Sequence, residues 1–582
     1  MKHTPEYNTW EITDFRALLD GIGARYPDNI AYTWRDPLAE DGVAARTYAD
    51  MIRDIQSLAA YLCAMGLEHR RIAVCGKNSY RWAISFLAVV CGCGVIVPLD
   101  RELHEEALGA LLADAACSAV LYEDDMQAKL QSVDLPGLMK LPLSSVDVYL
   151  SQGASLRDAG SRSYEHHTVD ADALGVLLYT SGTVGHAKGV MLSQANLCAD
   201  IVGICRRIRI TEADRVLSHL PAHHIYEITA ALAVLCSGGS IAINDSIRRM
   251  PSDLALFRPS VLVTVPAVVD FISRFINRGY ADARGGKLLL GAQKMAVGIV
   301  SRPLGLLSKR SAEKSRRSIF STVHSFLGGN LRAVVVGAAP LSPAVFSQIA
   351  QFGYAVYAGY GLTEASAAAL MQHDKYRAPD DVGFPIDGIE VRIDSPDADG
   401  IGELCIKGPT VMLGYYNDEE ATSQVLRDGW LYTGDLACQR ASGAYAITGR
   451  KTSVIVLPTG KKVCPEELEA YFAENPLVSE CLVYAGEQDG EQLLCVSVYP
   501  DLAVLTEMLS LPADTDLTTL SAEDTARAKT LLLDIVRDVN ARLPNYKHVR
   551  HLVVRKTEFA KTAAQKIRRG IPENTDNGSD VD

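Results

Sequence analysis

The 582-residue chain has no surplus of positive charge, no cysteine spacing suited to a metal knuckle and no internal repeat. Each absence narrows the reading. Lys and Arg number 57 against 70 Asp and Glu, a formal charge of -13. Nucleic-acid binding through bulk positive charge is therefore excluded, and no nucleic-acid partner is expected. The 13 cysteines fall singly in apolar segments, and Cys91 and Cys93, with only Gly92 between them, are one residue short of a two-residue zinc knuckle. They read as reduced, buried thiols. The opening "MKHTPEYNTWEITDF" offers no apolar core for a signal peptide, so the expected location is the cytoplasm. From Trp82 to Leu99 the chain carries no charge over a length near the lower limit of a membrane span. Gly92, Gly94 and Pro98 interrupt it, which predicts a buried helix followed by a buried strand.

What is present is α/β patterning. A chain this long exceeds a single core, so two or more domains are expected. "YADMIRDIQSLAAYLCAMGL" has helical spacing and stops at Gly66, whereas "RIAVCG" and "GVIVPLD" are short apolar runs ended by turn residues. Further strands are expected in "GVLLYTS", "LAVLCSGGSIAI", "PSVLVTVP", "LRAVVVGAAP" and "YAVYAGYG", several opening into glycine-rich turns where open α/β sheets bind ligands. The fold class read from this is α/β: a large N-terminal domain of several subdomains with mainly parallel sheets, residues 1–449, and a small α+β C-terminal domain, residues 450–572. Residues 573–582 read as a disordered acidic tail. Arg284 to Arg317 forms an insertion with nine basic residues and one acidic residue, Glu313. It reads as a solvated surface segment, with peripheral contact to anionic lipid as the alternative.

The stretch "YTSGTVGHAKGVMLSQANL", Tyr179 to Leu197, carries the first chemistry. It is not a P-loop, because Gly182 and Gly185 have too few residues between them and Gly189 follows Lys188 where Ser or Thr belongs. A strand entering a loop of small hydroxyl and glycine residues, with one lysine, suits a polyphosphate cradled by backbone N–H groups.

Several further segments join this loop in one order. They are "LPAHHIYE", "GAAPL", "YGLTE", "GELCIKGPTVMLGYY", "GWLYTGDLA", "ITGRKTSVIVLPTGKKVCPEELE" and "AKTAAQKIRR". Together they resemble the adenylate-forming superfamily over nearly the whole chain, and most closely the long-chain fatty acyl-CoA synthetases, with the long span Val263 to Leu341 in support. The resemblance implies a mobile C-terminal domain, with ATP and Mg2+ as cofactors and coenzyme A as co-substrate. The reaction implied joins a carboxylic acid, medium to long in chain, to AMP and then to a thiol. An acyl carrier protein is the alternative acceptor, and a non-catalytic adenylate-binding protein the alternative class.

It also implies roles residue by residue. Thr180, Ser181, Gly182, Thr183, Gly185 and Lys188 make the phosphate loop, and Gly337, Ala338, Ala339 and Pro340 the turn facing adenine. Tyr360 and Gly361 border the base, and Thr363 reaches the α-phosphate. Thr183 and Glu364 hold magnesium, a hard cation that takes hydroxyl and carboxylate oxygens. Asp435, assisted by Arg450, accepts from the ribose hydroxyls. His224 and Tyr226 line the acyl pocket, Gly460 the coenzyme A channel, and Thr452 stands at the hinge. Lys566 is the catalytic lysine that meets charge between the acyl carboxylate and the α-phosphate. The sequence departs from the family pattern at Val184, Ala187, Thr452 and Gln565.

Overall fold

The computed structural model describes residues 7, 9–180, 187–244, 246–282, 309–457, 461–488, 491–512, 515–561, 567–569 and 571–575. The chain divides into two compact units, residues 1–392 with 405–432, and residues 393–404 with 433–582. The sequence reading sets its boundary at 449/450; in packing, residues 433–449 group with the second unit. The reason is an antiparallel ladder in which Asp435 pairs with Arg450 and Gln439 with Tyr445.

The first unit carries two large sheets. One runs, edge to edge, Gly414–Tyr415, Lys188–Ser193, Leu174–Thr180, Gly94–Leu99, Arg70–Cys75, Ala119–Tyr122 and Met139–Pro142. Its pairs from Leu174–Thr180 to Met139–Pro142 are parallel, and the hairpin Leu174–Thr180/Lys188–Ser193 is antiparallel. The other runs Phe384–Pro385, Leu370–Met371, Ala355–Tyr360, Ala333–Val336, Val261–Thr264, Arg215–Ser218, Ser240–Ile243, Ile30–Arg35 and Val43–Thr47. Its central strands are parallel and both ends turn antiparallel.

Local chemistry sets the helix starts. Thr47 caps helix Tyr48–Ala64 through a capping box with Asp50, and Ser193 caps Gln194–Arg207 through one with Asn196. The strand leaving the glycine-rich loop thus feeds directly into a capped helix. Gly66 takes φ +78 after the first of these helices, a conformation glycine adopts at little cost. The uncharged stretch resolves as helix Tyr80–Gly92 and strand Gly94–Leu99. That helix has 13 residues, short of the roughly 20 that span a bilayer. Among the described residues no helix is long and apolar enough to cross a membrane.

One strand expectation fails in part. "LAVLC" belongs to helix Ile225–Cys236, and only Ser240–Ile243 of that stretch is a strand. An apolar run buried on every side has neither period, so sequence alone does not separate the two. Of the basic insertion, residues 283–308 lie outside the described set. Residues 309–317 open helix Lys309–Ile319, and its Glu313 accepts from Arg377 Nη2 at 2.5 Å.

In the second unit, Val478–Gln488 and Glu491–Pro500 pair antiparallel, and His551–Val554 joins in parallel. Helices Pro465–Phe472 and Ala522–Ala541 contribute Leu468, Phe472, Leu532 and Ile535 to a core with Val496 and Leu552. Pro465 at the first helical position and Glu466 and Glu467 behind it suit the positive end of the helix dipole.

Candidate active site

The strands on either side of the glycine-rich loop pair as a hairpin. Tyr179 pairs with Gly189 and Thr180 with Lys188, so the loop leaves and re-enters at adjacent points. Thr180 Oγ1 donates to Lys188 O at 3.4 Å. Ser181, Gly182, Thr183 and Gly185 lie outside the described residues. The glycine that disqualifies a P-loop has a packing reason. A Cβ on Gly189 would stand 3.1 Å from Leu177 Cδ1 and 3.2 Å from Tyr416 Cβ.

Next to the hairpin, strand Gly414–Tyr415 pairs with its outer strand through Tyr415 and Val190. The Lys188 ammonium sits 4.7 Å from the centroid of the Tyr415 ring. The Tyr415 hydroxyl donates to Glu364 Oε1 at 2.9 Å. Burial, followed by the Glu364 charge, pushes this phenol well above its ordinary range, so it stays a donor. A cation and an anion are thereby held against one buried aromatic side chain at the mouth of the loop.

Glu364 itself comes from the end of the other sheet. Strand Ala355–Tyr360 gives way to Gly361 and a single 3-10 turn, Thr363–Ala365. Only glycine fits at 361, because a Cβ there would fall 1.4 Å from Ala367 O. Ser366 and Ala367 take φ +63 and +115, conformations rare for residues with side chains. The surroundings hold this backbone: Ser366 Oγ donates to Thr410 O at 2.7 Å, and Ala368 N to the buried Asp200 Oδ1 at 3.1 Å. Tyr360 and Thr363 are half-buried on the same segment.

A second cluster forms around Tyr226. Gly337 follows strand Ala333–Val336, and a Cβ there would lie 3.1 Å from Tyr226 Cζ. The Tyr226 hydroxyl donates to Val335 O at 3.3 Å and lies 3.4 Å from Thr264 O. Ala338 has φ +67, and Ala339 and Pro340 are exposed. The turn at 337–340 and the aromatic residue at 226 are thus neighbours. His224 is the N-cap of helix Ile225–Cys236, its Nδ1 accepting from Tyr226 N at 3.2 Å.

Two buried groups beside it were missed by sequence reasoning. Glu227 accepts from Ser218, and burial pushes its carboxyl up to about 7. His219 lies 3.0 Å from Leu217 O through Nδ1 and 3.0 Å from Thr264 Oγ1 through Nε2, and burial lowers it to about 4. It is neutral at pH 7, with Nδ1 the donor. Tyr415 was missed as well, although it stands in the quoted "LGYY".

In the second unit Asp435 is buried, and Arg450 Nε meets its Oδ1 at 2.9 Å across the ladder. Thr452 is exposed in the turn Lys451–Ser453, where Lys451 Nζ pairs with Glu403 Oε2 at 2.7 Å. Gly460 and Lys566 lie outside the described residues. The hairpin Ile455–Val456/Lys462–Val463 brackets the first, and the bridge between Lys561 and Ile567 brackets the second. Lys561 is itself committed to Glu480 and Glu558.

The corner at Tyr415 fits a hard cation. Glu364 Oε1 is fixed by the phenol, and the same half-buried carboxylate carries a second oxygen. A half-buried carboxylate oxygen of this kind is what Mg2+ takes.

Residues 20–416 match the family model described as AMP-binding enzyme. The long-chain-fatty-acid–CoA ligase FadD15 of Mycobacterium bovis is 29% identical over 453 residues, which is 75% of this chain and 74% of that protein. Long chain acyl-CoA synthetase 6, peroxisomal, of Arabidopsis thaliana is 31% identical over 463 residues, 73% of this chain and 64% of that protein. Among solved structures, o-succinylbenzoate CoA synthetase from Bacillus subtilis with its acyl-adenylate intermediate aligns with a TM-score of 0.72 at 18% identity, covering 99% of each chain. At that identity the likeness speaks for the fold.

Proposed function

From its membership of the AMP-binding enzyme family, as an adenylate-forming acid–CoA ligase, we propose that this chain activates a medium- to long-chain fatty acid with ATP and passes it to coenzyme A. The observation that carries the reading is the Tyr415 corner, where Lys188 and Glu364 set opposite charges at the mouth of a glycine-rich loop. That arrangement suits a polyphosphate together with its cation. The fatty acid is supported by the relatives named as long-chain ligases, at 29% and 31% identity.

In the first half-reaction a carboxylate oxygen attacks the α-phosphorus of ATP. The acyl–phosphate bond forms as the bond to pyrophosphate breaks. Loop residues 180–188 receive the phosphates, with Lys188 offsetting their charge. Thr183 and Glu364 would hold Mg2+, which when bound neutralises phosphate oxygens. Tyr360 stacks on the base beside the turn Gly337–Pro340, and Thr363 reaches the α-phosphate. Asp435, oriented by Arg450, accepts from the ribose hydroxyls. Lys566 stabilises the charge that shifts between carboxylate and α-phosphate, an effect realised in the transition state and so expressed in rate.

In the second half-reaction the thiol sulfur attacks the acyl carbon and AMP leaves. Movement of the small domain about Thr452 withdraws Lys566 and brings the Gly460 hairpin to the pantetheine channel. Tyr226 and the backbone that His224 caps form the acyl wall. A tunnel that buries the chain gains about 0.8 kcal/mol per methylene, enough to rank acids by length.

The reading places the enzyme in the cytoplasm, with the basic segment 284–317 touching anionic lipid at the membrane surface. Flotation that is equal with anionic and neutral vesicles removes the lipid clause. The central test is ATP–pyrophosphate exchange over carboxylic acids from acetate to oleate, with coenzyme A thioester measured alongside. Exchange is expected to rise with chain length. No exchange with any acid sinks the reading, and a maximum at acetate sinks its fatty-acid clause.

A further inference from the structure

A group of metal-ligating side chains gathers in the first unit from two distant stretches of sequence. Glu68 and His69 end the turn after helix Tyr48–Ala64, and His167 follows the short helix Ser163–His166. Glu68 Oε1 lies 3.8 Å from His69 Nε2 and 4.0 Å from His167 Nδ1, and one ligand atom from each residue falls within 4.8 Å of the others. These separations exceed hydrogen-bond length, so the carboxylate bonds neither ring directly. An ion with bonds of ~2.1 Å holds tetrahedral ligand atoms about 3.4 Å apart, so Glu68 and His69 have to close on His167 by about 0.5–1.5 Å to share one.

The second observation is His167 itself. It is 7% exposed, and among the described residues its buried Nδ1 has no hydrogen-bond partner. Buried polar nitrogens are nearly always satisfied, so one left open toward a carboxylate and a second imidazole calls for a ligand. The segment that carries it is held in place. Arg16 donates to His167 O at 2.8 Å, Tyr164 O at 2.6 Å and Cys91 O at 2.7 Å. On the other side, His69 N donates to Cys93 O at 2.5 Å. Glu68 and His69 have exposed side chains, 45% and 71%, and are free to close on an ion by rotation.

We propose that Glu68, His69 and His167 form a three-ligand site for a zinc-class divalent cation, the fourth position being taken by water. Two imidazole nitrogens and one carboxylate oxygen suit Zn2+ and its neighbours, whereas Mg2+ prefers oxygen alone. A bound ion ties the turn before strand Arg70–Cys75 to the segment before strand Leu174–Thr180, two strands of one sheet. Such a site is independent of the proposed reaction.

The test uses the full-length protein in millimolar Mg2+ without nucleotide, titrated with Zn2+ by calorimetry and with Co2+ by absorption. One equivalent of Zn2+ should bind and raise the melting temperature. Glu68→Ala and His69→Ala should each weaken that binding by about tenfold or more, while pyrophosphate exchange stays at the wild-type rate. The Co2+ complex should show the ligand-field bands of a nitrogen- and oxygen-bound ion without thiolate charge transfer. Binding that is equal in both variants and in the wild type overturns the site. So does a thiolate spectrum, which sends the ion to the cysteines, and so does the absence of stoichiometric binding.

Discussion

Replacing Tyr415 with Phe removes one hydroxyl and leaves the ring beneath the Lys188 ammonium. The lost bond is the 2.9 Å donation to Glu364, an acceptor that carries charge. Bonds to charged groups contribute about 1.5–3 kcal/mol, and the half-buried position of Glu364 favours the lower end. A loss of about 1.4 kcal/mol is tenfold in rate, so kcat/KM for ATP should fall by about tenfold. Tyr415→Leu removes the ring as well, and a cation–π contact adds about 0.5–1 kcal/mol. The combined fall should reach about thirty- to seventyfold. The assay is pyrophosphate exchange against Mg·ATP at a fixed acid, with melting curves to show that both variants fold. Because burial and Glu364 hold the phenol protonated, the ratio of Phe variant to wild type should stay flat from about pH 6 to 9. Wild-type ATP dependence in the Phe variant, with loss only in the Leu variant, refutes the orienting role of the hydroxyl. Wild-type behaviour in both removes the corner from the nucleotide site.

Lys566→Ala should abolish exchange by several powers of ten while sparing thioester formation from supplied acyl-adenylate, and near-normal exchange would take the lysine out of its role. Gly361→Ala should destabilise the first unit by about 1–3 kcal/mol or more, since its Cβ must displace Ala367 O from 1.4 Å; an unchanged denaturation midpoint contradicts this. Glu227→Gln addresses pH. With a folded value of about 7 against an ordinary 4.5, Glu227 binds its proton more tightly when folded, so wild-type stability falls as pH rises between those values. The penalty above pH 7 is about 3 kcal/mol, at about 1.4 kcal/mol for each pH unit between the two values. His219, held down to about 4, gives the opposite slope from about 4 to 6.5, so the quantity to follow is the difference between wild type and variant. The Gln variant should gain on wild type as pH rises from about 5 to 8, and a pH-independent difference sinks the assignment.

Much of the framework was legible along the chain because its causes are local. The strand before the glycine-rich loop, the capped helix after it, the buried helix and strand between Trp82 and Leu99, and the α+β character of the C-terminal part follow from periodicity, caps and turn residues. "LAVLC" was misread because uniform burial erases period. His224 illustrates a different limit. Its place in a motif was visible, but its hydrogen bond to Tyr226 N exists only once the helix has started.

Sequence order alone established the family's motifs and the α/β class, because those depend on which residues follow one another. It did not bring Lys188, Glu364 and Tyr415 together, set 433–449 with the second unit, or place His167 beside Glu68 and His69. Those juxtapositions depend on strand order across the sheets and on long-range pairing. The raised carboxyl of Glu227 belongs to the same class, because desolvation is a property of the packed core that surrounds a residue.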